Sequence, residues 1–312
     1  MKLLKKGVVL RSTGSSYSIE SEGNLYSCKL KGKIRLQNIK STNPVAVGDN
    51  VIFEVNDASK KDEGKIIDIG YRKNYIVRKS VNLSKQTQII ASNIDLALLM
   101  VTIHKPKTYP IFIDRFLLSA EAYHIPVIIL FNKIDSFSID QLKDLESLKK
   151  IYDDIGYKTY KISAKKNQNI GKLKKLLINK VSMISGNSGV GKSTFINALE
   201  PEINLKTASI SSQHMQGKHT TTFAEMHILK NGIKIIDTPG IRGFGVVNIK
   251  AEEIRNYFPE IFINQGKCKF KNCLHKNEPK CAIIRGVEDG SISKSRYKSY
   301  IHLIKEGTNI RS

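Results

Sequence analysis

Residues Gly186 to Ser193 have the glycine spacing and the final Lys-Ser pair that bind nucleotide phosphates. They fit the pattern G-x-x-x-x-G-K-[ST], follow the apolar run 181–185 and precede the helix-prone run 194–199. In such a loop the backbone N–H groups point at the β-phosphate, and the following helix N-terminus adds positive potential. Lys192 is expected at the β- and γ-phosphate oxygens, and the Ser193 hydroxyl is expected to ligate Mg²⁺. An ordinary glycine-rich surface loop is the alternative. The predicted phosphate-loop contacts are Ser185, Gly186, Asn187, Ser188, Gly189, Val190, Gly191, Lys192, Ser193 and Thr194.

A second motif, Asn132-Lys133-Ile134-Asp135, follows the apolar run 125–131. Guanine offers N1–H and an exocyclic amine side by side, and one carboxylate accepts both hydrogen bonds. Asp135 is therefore expected to select GTP over ATP, because adenine lacks that donor pair. Asn132 would reach the base edge or tie neighbouring loops together, and the Lys133 stem would cover the ring. The tripeptide Ser163-Ala164-Lys165 is similar to the GTPase loop that contacts the base through its backbone.

Two further segments predict the loops that sense the γ-phosphate. Asp237-Thr238-Pro239-Gly240 ends a hairpin predicted around Asn231-Gly232, with Asp237 near Mg²⁺ and the Gly240 N–H at the γ-phosphate. Lys192 and Gly240 are therefore the predicted catalytic contacts. The segment 217–222 contains three threonines, one of which would complete the Mg²⁺ shell. The sequence does not choose among Thr220, Thr221 and Thr222; Thr221 is taken as the ligand beside Ser193 and Asp237.

The order of these motifs is unusual. An ordinary GTPase begins with the phosphate loop and ends with the base-recognition loops, whereas here 132–135 and 163–165 precede 186–193 and 237–240. The same loops in rotated order indicate a circular permutation. Its mechanical effect is to place the C-terminal region directly after the γ-phosphate loop.

Three of the four cysteines lie within fourteen residues in the C-terminal region. Cys268, Cys273, His275 and Cys281 form a three-thiol, one-imidazole set, which suits a closed tetrahedral site for one structural zinc ion. Free buried cysteines or a disulfide are the alternatives. Cys28 lies in an alternating strand pattern and is interpreted as a core residue.

The elements that must position these residues change character along the chain. Short β-type runs with turn signals fill the first 78 residues and predict a five-stranded OB-fold barrel. Apolar strands then alternate with helical spacing, which is typical of an α/β sheet. The prediction is a multidomain protein: an OB-fold RNA-binding domain (1–78), a circularly permuted α/β P-loop GTPase domain (79–245) and a zinc-binding domain with helices (246–312). The predicted barrel strands begin at Gly7 and cover 24–30, 45–47, 50–53 and 65–69.

The composition favours a polyanionic partner. Lys and Arg number 51 against 28 acidic residues, a formal charge of +23, and nucleic acid is the usual partner of such a surplus. A lysine-rich compositional habit is the alternative. The longest apolar runs are far short of the ~20 residues that span a bilayer, and no signal peptide is evident at the N-terminus. These features predict a cytoplasmic protein with no membrane contact, and a monomer is assumed.

The barrel, the permuted GTPase motifs and the Cys-x4-Cys-x-His-x5-Cys segment together resemble the RsgA (YjeQ/YloQ) family of small-subunit-dependent GTPases. Phe258-Pro259-Glu260 and Arg296-Tyr297 add to the resemblance, which covers essentially the whole chain. It implies a late factor in maturation of the small (30S) ribosomal subunit that binds this particle, contacts its rRNA through the barrel and the zinc domain, and hydrolyses GTP to GDP when engaged.

The resemblance also suggests how hydrolysis is achieved. Ras-type GTPases place a glutamine after the switch glycine to orient water, but Ile241 occupies that position and unassisted turnover should be slow. His219 matches a histidine proposed as catalytic in the family and would position or deprotonate water. Three alternatives stay open: a zinc-and-barrel RNA-binding module with a structural nucleotide pocket, a permuted GTPase serving the large subunit, and an ATPase.

Overall fold

The computed structural model describes residues 2–31, 43–56, 62–79, 87–205, 224–238 and 249–309. These residues form a β-barrel, a central α/β sheet and a helical C-terminal region that carries a Cys/His cluster. The predicted three-part fold is confirmed. The exact domain boundaries at 78/79 and 245/246 remain predictions.

Five strands close the N-terminal barrel in the order β1-β2-β3-β5-β4-β1, with only β3 and β5 parallel. Apolar residues that alternate along the strands fill its interior, and Cys28 lies there fully buried, as predicted. The strands are β1 (Lys2–Ser12), β2 (Tyr17–Ser21), β3 (Asn24–Leu30), β4 (Asn50–Asn56) and β5 (Glu63–Ile69).

The strand predicted over 45–47 is wrong, and β2 takes its place in the barrel. The reason is a buried polar turn. Asp49 is fully buried and accepts a hydrogen bond from the Ala46 N–H at 2.8 Å and another from Ser92 Oγ at 2.6 Å. Arg72 binds both carboxylate oxygens of Asp49, at 2.6 and 2.5 Å. These bonds hold 45–49 in a turn against the next segment of the chain. That segment is a hairpin of β6 (Tyr75–Lys79) and β7 (Thr87–Ser92).

The central sheet has the strand order β10-β9-β8-β11-β13-β12, and all neighbours are parallel except β12 and β13. Helices cover both faces, because strands such as 96–101 are apolar on both sides and fully buried. The strands are β8 (Leu96–Val101), β9 (Val127–Phe131), β10 (Lys158–Lys161), β11 (Val181–Ser185), β12 (Glu225–Ile228) and β13 (Lys234–Asp237). The helices are α1 (Pro110–Ala122), α2 (Ile139–Asp154), α3 (Ile170–Leu177) and α4 (Lys192–Leu199).

The barrel and the central sheet are continuous. Strand β1 pairs with β12 at Arg11 and Glu225, and Glu225 in turn pairs with Asp237 on β13. Leu10 packs against the same core as Met226 of β12. The first barrel strand therefore lies directly against the strand that follows the predicted threonine switch.

The C-terminal region packs against α1 through its own apolar cluster. Leu118 of α1 lies in this cluster with Phe258, Tyr300 and Leu303. Its helices are α5 (Pro259–Asn264), α6 (Ala282–Glu288) and α7 (Lys294–Asn309). Among the described residues, no helix combines the length and the apolar character needed to cross a membrane.

Candidate nucleotide site and metal site

The predicted phosphate loop joins the end of β11 to the start of α4. Gly186 and Gly191 have φ angles of +153° and +107°, and a Cβ at either position would collide with a neighbour. At Gly186 the Cβ would lie 2.3 Å from the Met100 carbonyl oxygen, and at Gly191 it would lie 2.4 Å from Asn132 Nδ2. Glycine is therefore required at both positions, and the loop ends where the exposed N–H groups of α4 begin.

Asn132 ties the predicted base-recognition and phosphate loops together. Its Nδ2 donates to the Val190 carbonyl oxygen at 2.8 Å, and its Oδ1 accepts from the Ala164 N–H at 3.0 Å. Asn132 is buried, so both bonds are shielded from competing water. Of the two roles expected for Asn132, the structure displays the one that joins loops.

The other predicted base-contacting residues lie at the same edge of the sheet. Lys133 adopts a left-handed conformation, with φ +70°, and donates from Nζ to the Lys105 carbonyl oxygen at 2.8 Å. Burial lowers the pKa of Lys133, and Asp135 opposes that shift. The side chain of Asp135 is exposed, as is that of Lys165, whereas Ser163 is buried. An exposed carboxylate beside a covered lysine stem is the arrangement expected of an open base-binding site.

Lys192 and Asp237 form the charged centre of the phosphate end. Lys192 Nζ donates to the Gly186 carbonyl at 2.9 Å and the Asn187 carbonyl at 3.3 Å. Burial lowers the pKa of Lys192, and the charge of Asp237 opposes this. Burial raises the pKa of Asp237 to about 6; Lys192 lowers it and Glu225 raises it.

The chemistry of Asp237 fits a hard cation. The residue is 6% exposed, and its Oδ1 has no hydrogen-bond partner within the described residues. A buried carboxylate oxygen without a donor is costly unless a cation or a water molecule meets it. Ser193, in the first turn of α4, carries a hydroxyl that is a second candidate oxygen donor. Oxygen donors of this kind match Mg²⁺.

The remaining switch residues lie outside the described part of the chain. These are His219, Thr220, Thr221, Thr222 and Gly240. Their assigned roles remain predictions from the sequence.

The four predicted zinc ligands lie together in the C-terminal region. Their donor atoms are all within 4.8 Å of one another. Cys281 Sγ is 3.4 Å from His275 Nδ1, and Cys268 Sγ is 3.6 Å from that nitrogen and 3.9 Å from Cys281 Sγ. A tetrahedral zinc ion separates its sulfur ligands by about 3.8 Å and its sulfur and nitrogen ligands by about 3.5 Å. The cluster fits a structural zinc site.

The surroundings of this cluster also indicate a metal ion. Burial raises the pKa of Cys273 to about 12 and lowers the pKa of His275 to about 4. A thiol with so high a pKa stays neutral near pH 7 unless a positive charge, such as a bound metal ion, stabilises its thiolate. All four cysteines of the chain are free of disulfides, which argues against the disulfide alternative.

Two residues that shape the zinc loop were missed by sequence reasoning. The Glu278 carboxylate accepts hydrogen bonds from the N–H groups of Leu274 and Lys276, both at 2.7 Å. Arg255 Nη1 donates to the Cys273 carbonyl at 2.9 Å. Neither residue belongs to a spaced motif, so no pattern in the sequence could have identified it.

The fold and the site together define a circularly permuted GTPase. The phosphate loop follows β11, a central strand that comes late in the chain, while the base motif follows the earlier β9. The profile of the RsgA GTPase family matches residues 69–247, and that of the RsgA N-terminal domain matches residues 6–66. The chain belongs to the RsgA GTPase family, and its enzyme class is GTPase.

Similar proteins cover almost the whole chain. A protein of Christiangramia forsetii named small ribosomal subunit biogenesis GTPase RsgA is 54% identical over 96% of both chains. A protein of the same name from Bacteroides fragilis is 49% identical, again over 96% of both. Among solved structures, YjeQ from Thermotoga maritima is 33% identical with a TM-score of 0.77, covering 98% of this chain and 99% of that one. YloQ, described as a circularly permuted GTPase, is 27% identical with a TM-score of 0.72, covering 98% and 96%.

Proposed function

We propose that this GTPase acts in late maturation of the small ribosomal subunit, binds that particle, and couples GTP hydrolysis to its own release. The observation that carries the proposal is the match over 96% of both chains to relatives named small ribosomal subunit biogenesis GTPase. The formal charge of +23 supports a partner made largely of RNA. Action on a ribosomal particle implies a cytoplasmic protein, and a monomer is assumed.

The GTP molecule would lie across the C-terminal edge of the central sheet. Asp135 would accept the guanine N1–H and amine hydrogens, with Lys133 along the ring and the 163–165 loop at the base edge. The loop 186–193 would surround the phosphates, with the Lys192 ammonium released from the loop carbonyls to the phosphate oxygens. Lys192 would then neutralise charge on the group being transferred.

Mg²⁺ would be held by oxygen donors at the phosphate end. Ser193 and Asp237 are the described candidates, and Thr221 is the candidate from the switch. When bound, the ion would neutralise charge on the β- and γ-phosphates. The unmatched Oδ1 of Asp237 supports this assignment.

Hydrolysis would depend on the partner. Ile241 cannot hydrogen-bond an attacking water, so His219 would have to position that water or accept its proton. We infer that His219 reaches its working place only when the switch is docked on the small subunit. Assistance by a bound partner accelerates GTPases by about 10³- to 10⁵-fold, so dependence on the subunit is energetically reasonable.

Sedimentation with purified ribosomal subunits tests the proposal. The protein is mixed with small or large subunits in the presence of GDP or a non-hydrolysable GTP analogue. We expect co-sedimentation with small subunits in the presence of the analogue and at least about tenfold weaker binding with GDP, in the usual range of ligand coupling. Preferential binding to large subunits, or equal binding with both nucleotides, would contradict it.

A further inference from the structure

A buried ion triad joins the zinc domain to the central GTPase domain. Arg296 of α7 lies between Glu260 of α5 and Asp114 of α1, and the three residues are 1%, 7% and 0% exposed. Arg296 donates from Nε and Nη2 to the two oxygens of Glu260, at 2.7 and 3.1 Å. Its Nη1 donates to Asp114 Oδ1 at 2.7 Å. The forked pair lies within the zinc domain, and the third bond crosses to the GTPase domain.

Aromatic rings lie against the triad, and burial of its charged groups costs free energy. The guanidinium lies 4.4 Å from the centre of the Phe258 ring, and the Tyr152 hydroxyl donates to Asp114 at 3.0 Å. Burial lowers the pKa of Arg296, but Asp114 and Glu260 outweigh it and raise that pKa. Loss of Arg296 would leave two buried carboxylates without a compensating charge, and loss of Asp114 would remove the acceptor of the Arg296 Nη1 bond, so this bond favours one relative position of the two domains.

One end of this link lies beside the predicted base-recognition loop, and the other lies beside the zinc loop. Asp114 belongs to α1, which leads into β9 and the base motif, and its partner Tyr152 belongs to α2, which follows that motif. On the other side, the hydroxyl of Tyr297 donates to the His275 carbonyl at 2.7 Å. The Tyr300 hydroxyl donates to the Leu274 carbonyl at 3.0 Å. Helix α7 therefore touches both the zinc loop and the helices that flank the base-recognition loop.

We propose that Asp114 and Arg296 are positioning residues that hold the zinc domain against the base-binding half of the GTPase domain. A partner bound to the zinc domain then acts on GTP hydrolysis through this ion contact. The inference rests on the proposed function. The barrel is attached elsewhere, through β1 and β12 next to the γ-phosphate side. The barrel therefore contacts the γ-phosphate half of the GTPase domain, and the zinc domain contacts the base-binding half. A ribosomal particle that binds both outer domains would change their relative position.

The chain offers a matched control on the same pair of helices. Arg115, the neighbour of Asp114, pairs with Glu306 of α7 at 2.5 Å, and these side chains are 27% and 41% exposed. A partly exposed ion pair of this kind contributes less than a buried one. Asp114→Ala breaks the buried link across the boundary but keeps the forked Arg296–Glu260 pair, whereas Arg115→Met breaks only the partly exposed pair.

The experiment compares both variants with the unchanged protein. Basal GTP hydrolysis, hydrolysis with small subunits, GDP affinity and bound zinc are measured for each. For Asp114→Ala we expect full zinc content, unchanged basal hydrolysis and a stimulation by small subunits reduced by about 5- to 150-fold, the usual range of coupling between sites. Arg115→Met should keep normal stimulation. If Asp114→Ala does not fold, Asp114→Asn, which keeps the size of the side chain, is measured in the same way.

The outcomes separate the inference from the function on which it rests. If the unchanged protein is not stimulated by small subunits, the proposed function itself fails. If it is stimulated and a folded Asp114 variant is stimulated equally, the triad is only structural and the inference is overturned. An equal fall in the basal and stimulated rates overturns it as well, because general destabilisation lowers both together.

Discussion

We propose that Asp135 selects the base that enters the site, and this assignment leads to a test. In Asp135→Asn, one acceptor oxygen is replaced by an amide donor, so guanine loses a hydrogen bond to a charged group. Such bonds contribute about 1.5–3 kcal/mol, so we expect the affinity for GDP to fall by about 10- to 100-fold. Xanthine carries a carbonyl where guanine has its amine, and the variant should gain affinity for XDP. Equal loss of both nucleotides would contradict the assignment, and an unchanged GDP affinity would reopen the ATPase alternative.

Burial of Asp237, a proposed Mg²⁺-site residue, is expected to reduce the stability of the metal-free fold. Its pKa is raised from 3.8 to about 6 by burial, so the metal-free protein loses stability as the pH rises from about 4 to 6, by roughly 3 kcal/mol at most above that range. Asp237→Asn should therefore raise the melting temperature in nucleotide-free and magnesium-free buffer at about pH 7.5. The gain should vanish below about pH 4, where the wild-type carboxyl is neutral in both states.

The control for this measurement is Asp140→Asn, which removes an exposed carboxylate at the start of α2. This variant should show no comparable gain in stability. A melting temperature of Asp237→Asn that is lower than that of the wild type at about pH 7.5 would contradict the electrostatic account of this site.

The sequence indicates which side chains carry the chemistry but not which partners they bind. The spacing of 186–193 and 132–135 placed both motifs at strand ends, because glycines and buried strands leave clear patterns. That Asn132 bridges Val190 and Ala164 depends on loops far apart in the chain. The same is true of Arg296, whose partner Asp114 is 182 residues away. Such partnerships have no local signal.

Among the elements, the zinc loop depends most on a ligand. It contains little regular structure around Cys268, Cys273, His275 and Cys281, and zinc binding supplies about 10–16 kcal/mol of apparent free energy to such segments. Cys273→Ser should lose the single bound zinc ion and make the C-terminal region sensitive to proteolysis. Cys28→Ala, which removes a buried thiol from the barrel, should retain the zinc ion. Retained zinc and unchanged proteolysis in Cys273→Ser would contradict the assignment.

Elements with a strong local pattern were predicted well. Strand β11 and the hairpin of β12 and β13 lie where the apolar runs and Asn231-Gly232 placed them. The exception is 45–47, where apolar residues suggested a strand but a buried Asp49 and its partner Arg72 impose a turn. The pairing of β1 with β12 could not be predicted from the sequence either, because the residues of an edge strand do not indicate which strand of another domain it pairs with.

For the molecule as a whole, the surplus of +23 predicts binding that depends on salt. A protein that makes 6–10 phosphate contacts loses roughly 10³- to 10⁵-fold in affinity between about 50 and 200 mM salt. We expect the affinity for small subunits to fall by at least about tenfold over this range, whereas GDP affinity should change much less. A salt-independent affinity for the subunit would indicate a protein-mediated contact instead of an RNA-mediated one.

The proposed function requires that a small ribosomal subunit triggers GTP hydrolysis by this chain. Steady-state hydrolysis of GTP is measured for the protein alone, with small subunits and with large subunits. We expect slow turnover by the protein alone and strong stimulation by small subunits only. Stimulation by large subunits would support a different particle, and no hydrolysis under any condition would leave an RNA-binding module whose nucleotide pocket is structural.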